Sequence, residues 1–250
     1  MKQSFQTEWH GIQFSSFHKL SSTKLPDEFF YNEFYKIFFN KYQMYESLDS
    51  KWRDNKEQIA KWIINNFIDK KFKILSVGCG IGFVENYIFK NSNFEIHVSD
   101  YASESLKWLK NNLPLSNIHE DGINSLNLKN EKFDIIYFSA VDYAFKKSDF
   151  TDILKQYNEL LTNSGEIIIF SASYYIEPKF LIKIKDKIHS HLKYISNILG
   201  ILNNKSVQFW GWKRHRNDYI EIALKSGFQN YLEGLVNKED LFSYYIRMKK

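Results

Sequence analysis

Three glycines at every second position, Gly78, Gly80 and Gly82, are the residues of this chain best suited to hold a ligand. Glycine has no Cβ, so a ligand can approach the backbone closely at such a turn. The preceding residues, 74–77, are apolar or small, as in a strand that is buried on both faces of a parallel sheet. Apolar residues follow at helical spacing, and amide groups at a helix start can face a ligand. The segment therefore predicts a strand, a glycine turn and a helix around a nucleotide-type cofactor.

An acidic residue, Asp100, ends the next alternating apolar segment, 94–99. It lies roughly 20 residues beyond the glycine turn, the distance at which an acid of a β-α-β unit meets ribose hydroxyls. A carboxylate can accept hydrogen bonds from both hydroxyls of a diol. The alternative role for Asp100 is to cap the helical turn that opens at Ala102.

The glycine spacing distinguishes two classes of cofactor. The dinucleotide fingerprint is G-x-G-x-x-G, and Phe83 occupies the position of its third glycine. The observed G-x-G-x-G pattern resembles motif I of the class I S-adenosylmethionine-dependent methyltransferases, of the small-molecule type. This resemblance implies that the chain binds S-adenosylmethionine and releases S-adenosylhomocysteine. It also implies that the following residues contact the cofactor: Gly78, Cys79, Gly80, Gly82, Asp100 and Tyr101.

Segment 117–123 looks like the third strand of the same family and the loop that holds the adenine. On this resemblance we expect Asp121 to bind the adenine amino group, with Gly122 or Ile123 against the ring. Because the register is open by one residue, Glu120 is the alternative acid.

Segment 133–143 looks like the family's fourth strand, which begins with an F-D pair and ends beside the transferred methyl group. The resemblance places Ser139 against the cofactor and Asp142 and Tyr143 near the reaction. Ligands of open α/β sheets bind at this carboxyl edge. Residues 139–142 contain no proline, unlike the corresponding motif of the adenine and glutamine amino methyltransferases, which argues against base-flipping or amide chemistry.

Segments 150–170 and 219–248 are similar to the last helices and strands of the family, in the same order. The resemblance covers about residues 71–250 and implies an α/β fold. Its core is a doubly wound, Rossmann-like sheet of seven strands, mostly parallel with the last strand antiparallel.

Two regions lie outside this shared core. Residues 1–70 predict a helical extension, with helices from Pro26 to about Met44 and from Trp52 to Phe67. Its many aromatic side chains are either core or a lid whose rings cover the active site. Residues 172–216 predict a helical insertion, with an apolar stripe between 180 and 199, which covers the cleft, joins subunits or rests on a membrane surface; a covering helix fits best.

The composition agrees with a single folded unit in the cytoplasm. At 250 residues the chain can bury a core without a metal or a disulfide, and its one cysteine, Cys79, cannot form an internal bridge. No apolar run is long enough to cross a bilayer. The formal net charge of +5 is too small to predict a nucleic-acid partner.

One dense basic cluster, 213–216, precedes the last predicted helix. Arg214 and Arg216 are expected to clamp an anionic acceptor, because guanidinium groups recognise phosphate or carboxylate bidentately; a solvated loop is the alternative. The candidate catalytic residues are His215, Asp142 and Tyr143, with His10 as a further base. Tyr174 and Tyr175 are expected to contact the substrate.

The sequence thus predicts methyl transfer to a small, anionic or sugar-like acceptor, with oxygen as the acceptor atom. The alternatives are an RNA methyltransferase and a module that binds the cofactor without catalysis. An NAD-dependent oxidoreductase is disfavoured by Phe83.

Overall fold

The computed structural model describes residues 2–67, 71–123, 128, 131–176, 207–240 and 243–250. The chain begins with three short strands and two helices: β1 (Lys2–Gln6), β2 (Glu8–Trp9), β3 (Ile12–Gln13), α1 (Glu28–Lys41) and α2 (Ser50–Asn66). The remaining strands are β4 (Lys73–Val77), β5 (Glu95–Ser99), β6 (Ile118–His119), β7 (Phe133–Ser139), β8 (Leu161–Phe170), β9 (Gln208–Lys213), β10 (Asn230–Leu235) and β11 (Tyr244–Lys249). Between them lie α3 (Phe83–Asn91), α4 (Lys147–Glu159) and, as the last described helix, α5 (Arg216–Lys225).

Seven of these strands form the central sheet in the order β10-β11-β8-β7-β4-β5-β6. The pairs from β6 to β8 are parallel, whereas β11 runs antiparallel to both of its neighbours. This confirms the predicted α/β fold with one antiparallel strand. The chain moves from β4 outward through β5 and β6, and then crosses to β7 on the other side. The switch in strand order therefore lies beside β4, where open α/β sheets bind their ligands.

Apolar cores cover both faces of the sheet. On one face, α4 and α5 pack on alternate residues of the strands, such as Leu75 and Phe138. On the other face, α2 and α3 pack on the intervening residues, such as Ile74 and Tyr137. The strands are buried on both sides, which explains their nearly continuous apolar sequence.

The N-terminal segment forms a third core above the carboxyl end of the sheet. Phe14, Phe30, Phe34 and Phe38 are completely buried there. They pack with residues of the glycine turn and of β9, such as Ile81 and Trp210. Most aromatic side chains of α1 are therefore core, which was one of the two predicted roles, whereas Phe29 is exposed.

The extension contains strands that the sequence did not predict. β1 pairs antiparallel with β9, which lies more than 200 residues later in the chain. β2 and β3 form a small hairpin through His10 and Gly11, both with positive φ. Helices α1 and α2 confirm the two predicted helices within a few residues. The apolar stripe predicted between 180 and 199 lies outside the described residues.

In the part of the chain that the structure describes, no helix has the length and apolar character needed to cross a membrane.

Candidate functional site

The glycine turn follows β4 and brings the backbone to the carboxyl edge of the sheet. Gly78, Gly80 and Gly82 have φ values of 69°, 57° and 71°, in the left-handed region that favours glycine. A Cβ on Gly78 would lie 2.5 Å from Val141 Cγ1, and one on Gly82 would lie 2.2 Å from Leu109 Cδ1. The turn thus needs glycine both for its conformation and for the close packing around it.

Asp100, after β5, holds this turn in place. Its Oδ2 accepts from the Gly80 amide at 2.8 Å, and its Oδ1 accepts from the Ala102 amide at 2.9 Å. The Oδ1 bond ends at Ala102, which precedes the short helical turn Ser103–Lys107, and that turn has no side-chain cap, so Asp100 does not take the capping role that the sequence left as an alternative. Each carboxylate oxygen can accept a second hydrogen bond, so both remain able to meet a ligand. Burial raises the pKa of Asp100 to about 6.

A cavity of about 600 Å³ opens beside these residues, within the size range of sites for small molecules. It lies at the carboxyl ends of β4, β5 and β7. Of the predicted cofactor residues, six line it: Gly78, Cys79, Gly80, Asp100, Tyr101 and Ser139.

Three other predicted cofactor residues do not line the cavity. Gly82 packs against Leu109 instead. Asp121 and Gly122 precede Ile123, which does line it. Of the segment that is predicted to hold the adenine, the apolar residue Ile123 thus lines the cavity.

Aromatic side chains from outside the sheet complete the wall. Trp9, Tyr31, Tyr35 and Trp52 belong to the N-terminal segment, and Trp210 belongs to β9. A Cβ on Gly80 would lie 3.1 Å from the Tyr35 hydroxyl oxygen, so this ring stands directly over the glycine turn. Residues 2–67 therefore supply both a core and one side of the cavity, combining the two predicted roles.

Asp142 is not placed to act as a base, contrary to the sequence prediction. It is completely buried and is not part of the cavity wall. Its Oδ2 accepts from the hydroxyls of Ser171, Ser173 and Tyr219, at 2.8, 2.5 and 2.5 Å, and its Oδ1 accepts from the Ala172 amide. These donors consume its lone pairs, so it fixes the loop after β8 instead.

The predicted arginine clamp is also not assembled. Arg214 is completely buried, and its guanidinium donates to the backbone oxygens of Asp142 and Phe145. Arg216 is exposed and forms an ion pair with Glu233. Both arginines therefore have structural partners, and neither lines the cavity. Lys213 is the residue of this cluster that does.

His215 and the two tyrosines predicted to bind substrate lie outside the cavity wall as well. His215 caps α5 through a reciprocal hydrogen-bond pair with Asp218. Tyr175 packs on the His215 ring at 3.8 Å, and Tyr174 stacks on Tyr244 at 4.3 Å. Their aromatic and capping contacts hold the start of α5 against the sheet.

Tyr143, in contrast, lines the cavity as predicted. Its hydroxyl is 3.0 Å from the hydroxyl of Tyr31, and its ring stacks on Trp210 at 5.6 Å. Burial raises the pKa of Tyr143 to about 12, so the phenol keeps its proton at neutral pH. It can donate a hydrogen bond but is not a base.

His10 is the histidine that the structure brings to the cavity. Its backbone has a φ of 50°, and its carbonyl accepts from Lys41 Nζ at 3.0 Å and from the Tyr42 hydroxyl at 2.9 Å. The rings of Phe38 and Trp52 lie 5.2 Å from the imidazole. Burial and the nearby lysines lower its pKa to about 4, so the imidazole is neutral at pH 7.

Lys56 of α2 is a cavity residue that sequence reasoning missed. Its Nζ donates to Ser139 Oγ at 3.3 Å. The available signal was its place on the apolar stripe of α2, because Trp52, Lys56, Ile59 and Ile63 follow one another at helical spacing.

Comparisons with known proteins agree with this architecture. Residues 74–165 match the family model of a methyltransferase domain. No curated protein matches the chain in sequence. In solved structures, the fold is similar to that of a Nostoc punctiforme protein assigned as an O-methyltransferase, with 15% identity and a TM-score of 0.60 over 92% of this chain and 63% of the other.

Two further structures contain a bound cofactor. Magnesium protoporphyrin IX methyltransferase from Synechocystis, with bound S-adenosylmethionine, is 11% identical, with a TM-score of 0.57 over 92% of this chain and 98% of the other. Human N-acetylserotonin methyltransferase, also with S-adenosylmethionine, is 15% identical, with a TM-score of 0.59 over 95% of this chain and 62% of the other. The chain thus spans less than two thirds of the Nostoc and human chains, and it has the class I methyltransferase fold.

Proposed function

We propose, from the match of residues 74–165 to the methyltransferase-domain model, that this protein transfers the methyl group of S-adenosylmethionine to an oxygen atom of a small acceptor. The observation that carries the proposal is the cavity at the switch in strand order. There the glycine turn, the Asp100 carboxylate and a set of aromatic rings face one enclosed space. When bound, S-adenosylmethionine supplies a methyl group on a positively charged sulfur, whose leaving group is S-adenosylhomocysteine.

The residues of the cavity fit this cofactor. Gly78 and Gly80 expose backbone with positive φ, a Cβ on Gly78 would collide with Val141, and Asp100 has lone pairs left for the ribose diol. Ile123 offers an apolar contact for the adenine, with Asp121 two residues away for its amino group. Ser139 and Cys79 line the same cavity.

The aromatic rings over the glycine turn suit a positively charged sulfur. Tyr35 stands over Gly80, and Tyr143 stacks on Trp210 at the end of β7. A cation over an aromatic face gains about 0.5–2 kcal/mol, and more where water is excluded. Residues 1–70 accordingly act as a lid on the methyltransferase domain of residues 71–250, and they keep water from the site.

An oxygen acceptor is favoured because the wall contains a neutral imidazole. Because its pKa is lowered to about 4, His10 is a weak base, so it accepts the acceptor's hydroxyl proton only as that oxygen bonds to the methyl carbon, becomes more acidic, and the carbon–sulfur bond breaks. The phenol of Tyr143 can position the same oxygen by a hydrogen bond. His10 thus takes the role that the sequence offered first to His215 and Asp142.

The cavity wall includes several aromatic side chains and the basic residue Lys213. Trp9, Trp212 and Tyr31 give flat apolar walls, suited to stacking a ring or a sugar face. Lys213 is exposed and lines the same region. We therefore propose a small hydroxyl-bearing acceptor that carries a carboxylate or phosphate for Lys213.

Calorimetry with the whole chain tests the cofactor assignment. S-adenosylmethionine and S-adenosylhomocysteine are expected to bind with one site per chain, whereas NAD is not, because Phe83 replaces the third glycine of the dinucleotide turn. Binding of NAD alone would contradict the proposal.

Turnover tests the chemistry. Transfer of labelled methyl groups to a panel of small hydroxy acids and sugar phosphates is expected, and His10→Gln should lower kcat by about 100-fold or more while leaving S-adenosylhomocysteine affinity intact. Labelling of RNA, with a steep loss of binding as salt rises, would support the RNA alternative instead. Cofactor binding without turnover on any acceptor would indicate an inactive binding module.

A further inference from the structure

Lys56 carries a positive charge into the cavity without an acidic partner. Its side chain is partly buried, and Nζ lies 5.9 Å from the centre of the Trp52 ring. Its one hydrogen bond within the described residues goes to Ser139 Oγ, at 3.3 Å. No carboxylate in that part of the chain forms an ion pair with it. An ammonium group has three donors, and burying donors without partners is costly.

Two acids that interact with Lys56 already have other donors. Burial lowers the pKa of Lys56, and the charges of Glu85 and Asp142 oppose this by favouring its charged form. Glu85 Oε1, however, accepts from Ser76 Oγ at 2.5 Å and from the Tyr137 hydroxyl at 2.7 Å. Asp142 is held by the hydroxyls and the amide of the loop after β8. The cavity thus presents a cation whose remaining donors have no acceptor in the described protein.

The position of Lys56 relative to the strand ends indicates which ligand group it meets. β4 lies between β5 and β7. Asp100 follows the end of β5, and Lys56 bonds to Ser139 at the end of β7. Neighbouring strands are about 4.8 Å apart, so the two positions are separated by two strand spacings, roughly 10 Å. A ligand that places its ribose at Asp100 and runs over the glycine turn brings its far end to Lys56.

We propose that the Lys56 ammonium binds the carboxylate at the amino-acid end of S-adenosylmethionine. The inference rests on the proposed function and assigns a subsite to a residue outside the matched domain, which begins at residue 74. The adenosine, the sulfur and the carboxylate of this compound follow one another in the order of the adenine loop, the glycine turn and Lys56. A carboxylate there supplies the acceptor that the ammonium lacks, in a charge-assisted hydrogen bond.

The assignment has a consequence for the lid. Lys56 lies on α2, whereas Asp100 and the glycine turn belong to the sheet. A ligand that bonds to Lys56 and to Asp100 therefore connects the N-terminal segment to the sheet when it binds. Positioning of the methyl group then depends on α2 as well as on the strand ends.

The test compares two ligands that differ in the carboxylate. S-adenosylhomocysteine has the whole amino-acid end, whereas 5′-methylthioadenosine has the same nucleoside and sulfur without it. In Lys56→Met, calorimetry should show S-adenosylhomocysteine affinity lower by about 10- to 100-fold, the scale of one charge-assisted hydrogen bond. The affinity for 5′-methylthioadenosine should stay within about twofold of the wild type, because the carboxylate is already absent.

Two further variants serve as controls. Lys61→Met removes another lysine of α2, which is exposed and paired with Glu57, and should change neither affinity. Lys56→Arg keeps the charge and should retain most of the preference for S-adenosylhomocysteine. This preference is read as a ratio within each variant, so a general loss of folded protein does not imitate the expected result.

Three outcomes would overturn the inference. An equal loss of affinity for both ligands in Lys56→Met, or no loss for either, would show that Lys56 does not bind the carboxylate. The proposed function would not be affected by this result. A raised KM for the acceptor with unchanged S-adenosylhomocysteine affinity would assign Lys56 to an acidic acceptor. Failure of the wild type to bind either ligand would remove the proposed function and the inference together.

Discussion

At the scale of single residues, the site depends on a carboxylate whose proton affinity is changed by the fold. Asp100 joins the glycine turn to the strand end of β5 through the amides of Gly80 and Ala102. Burial nevertheless raises its pKa to about 6, above the 3.8 of a free aspartate. The same side chain is thus a structural clamp and a group that titrates just below neutral pH.

This shift predicts a pH dependence of ligand binding. The ionised carboxylate is the stronger acceptor for ribose hydroxyls, so S-adenosylhomocysteine affinity should fall as the pH drops through about 6. Calorimetry at about pH 7.5 and about pH 5 measures the difference. Asp100→Asn should bind more weakly at both values and lose most of the pH dependence; an equal dependence in this variant would contradict the assignment.

The ligand-free protein should show the opposite trend. The folded state holds the Asp100 proton more tightly than the unfolded chain, so between about pH 4 and about pH 6 the contribution of this group to stability declines as the pH rises. Protonation of Asp100 should therefore weaken ligand binding but stabilise the ligand-free fold. This difference distinguishes a direct contact between Asp100 and the ligand from a general effect of low pH on the fold.

At this scale, the sequence predicted residues that line the cavity where the signal lies in a local pattern. Gly78, Gly80 and Asp100 could be found because the turn and the strand end are read from adjacent residues. Lys56 and His10 could not be assigned in the same way, since their role depends on how α2 and the β2–β3 hairpin pack over a distant strand end. Conversely, Arg214 looked like a ligand group because a sequence does not show which backbone oxygens a guanidinium will meet.

At the scale of elements, the loops after β7 and β8 are fixed by buried polar groups. Arg214, at the end of β9, bonds to the backbone oxygens of Asp142 and Phe145 and lies over the Phe150 ring, 5.5 Å from its centre. The neighbouring Arg216 opens α5 and is exposed in an ion pair with Glu233. Two arginines of one short segment thus have very different surroundings.

Substitution of these two arginines should therefore lower the free energy of unfolding to very different extents. Arg214→Met removes the side-chain donor of Phe145 O and leaves Asp142 O with only the long bond from the Phe145 amide, at 3.4 Å, so it should lower the free energy of unfolding by about 2–5 kcal/mol. Arg216→Met removes an exposed pair and should change it by less than about 1 kcal/mol. Unfolding in denaturant measures both. Similar losses in the two variants would show that the burial of Arg214 is not what stabilises this loop.

The same elements show why the central sheet could be predicted from the sequence, whereas the strand pair β1–β9 could not. The strands of the sheet and the helices α1 and α2 follow from local apolar periodicity. The pairing of β1 with β9 joins residues that are about 200 positions apart, as in Lys2 with Lys213. No local pattern encodes such a partner.

At the scale of the whole molecule, the cavity wall draws on distant parts of the chain. The N-terminal segment, the glycine turn, the end of β7 and β9 all contribute side chains. A ligand that contacts these parts stabilises them together, by about 2.7 kcal/mol at a concentration 100 times its Kd. Local openings that expose the cavity therefore become rarer in all of these elements.

Hydrogen exchange should reveal this coupling. With saturating S-adenosylhomocysteine, amide exchange is expected to slow in α1, α2 and β9 as well as in the glycine turn. Helices α4 and α5, none of whose residues line the cavity, provide the internal comparison and should change least. Protection confined to residues 78–82 and 100–101 would show that the N-terminal segment is not coupled to the ligand.

The aromatic wall also gives the protein a built-in optical reporter. The protein has six tryptophans, and four of them line the cavity: Trp9, Trp52, Trp210 and Trp212. Any molecule that enters displaces water from their indole rings, so the intrinsic fluorescence of the unlabelled chain responds to occupancy. Acceptor libraries can therefore be screened by emission alone, before the methylated product is known.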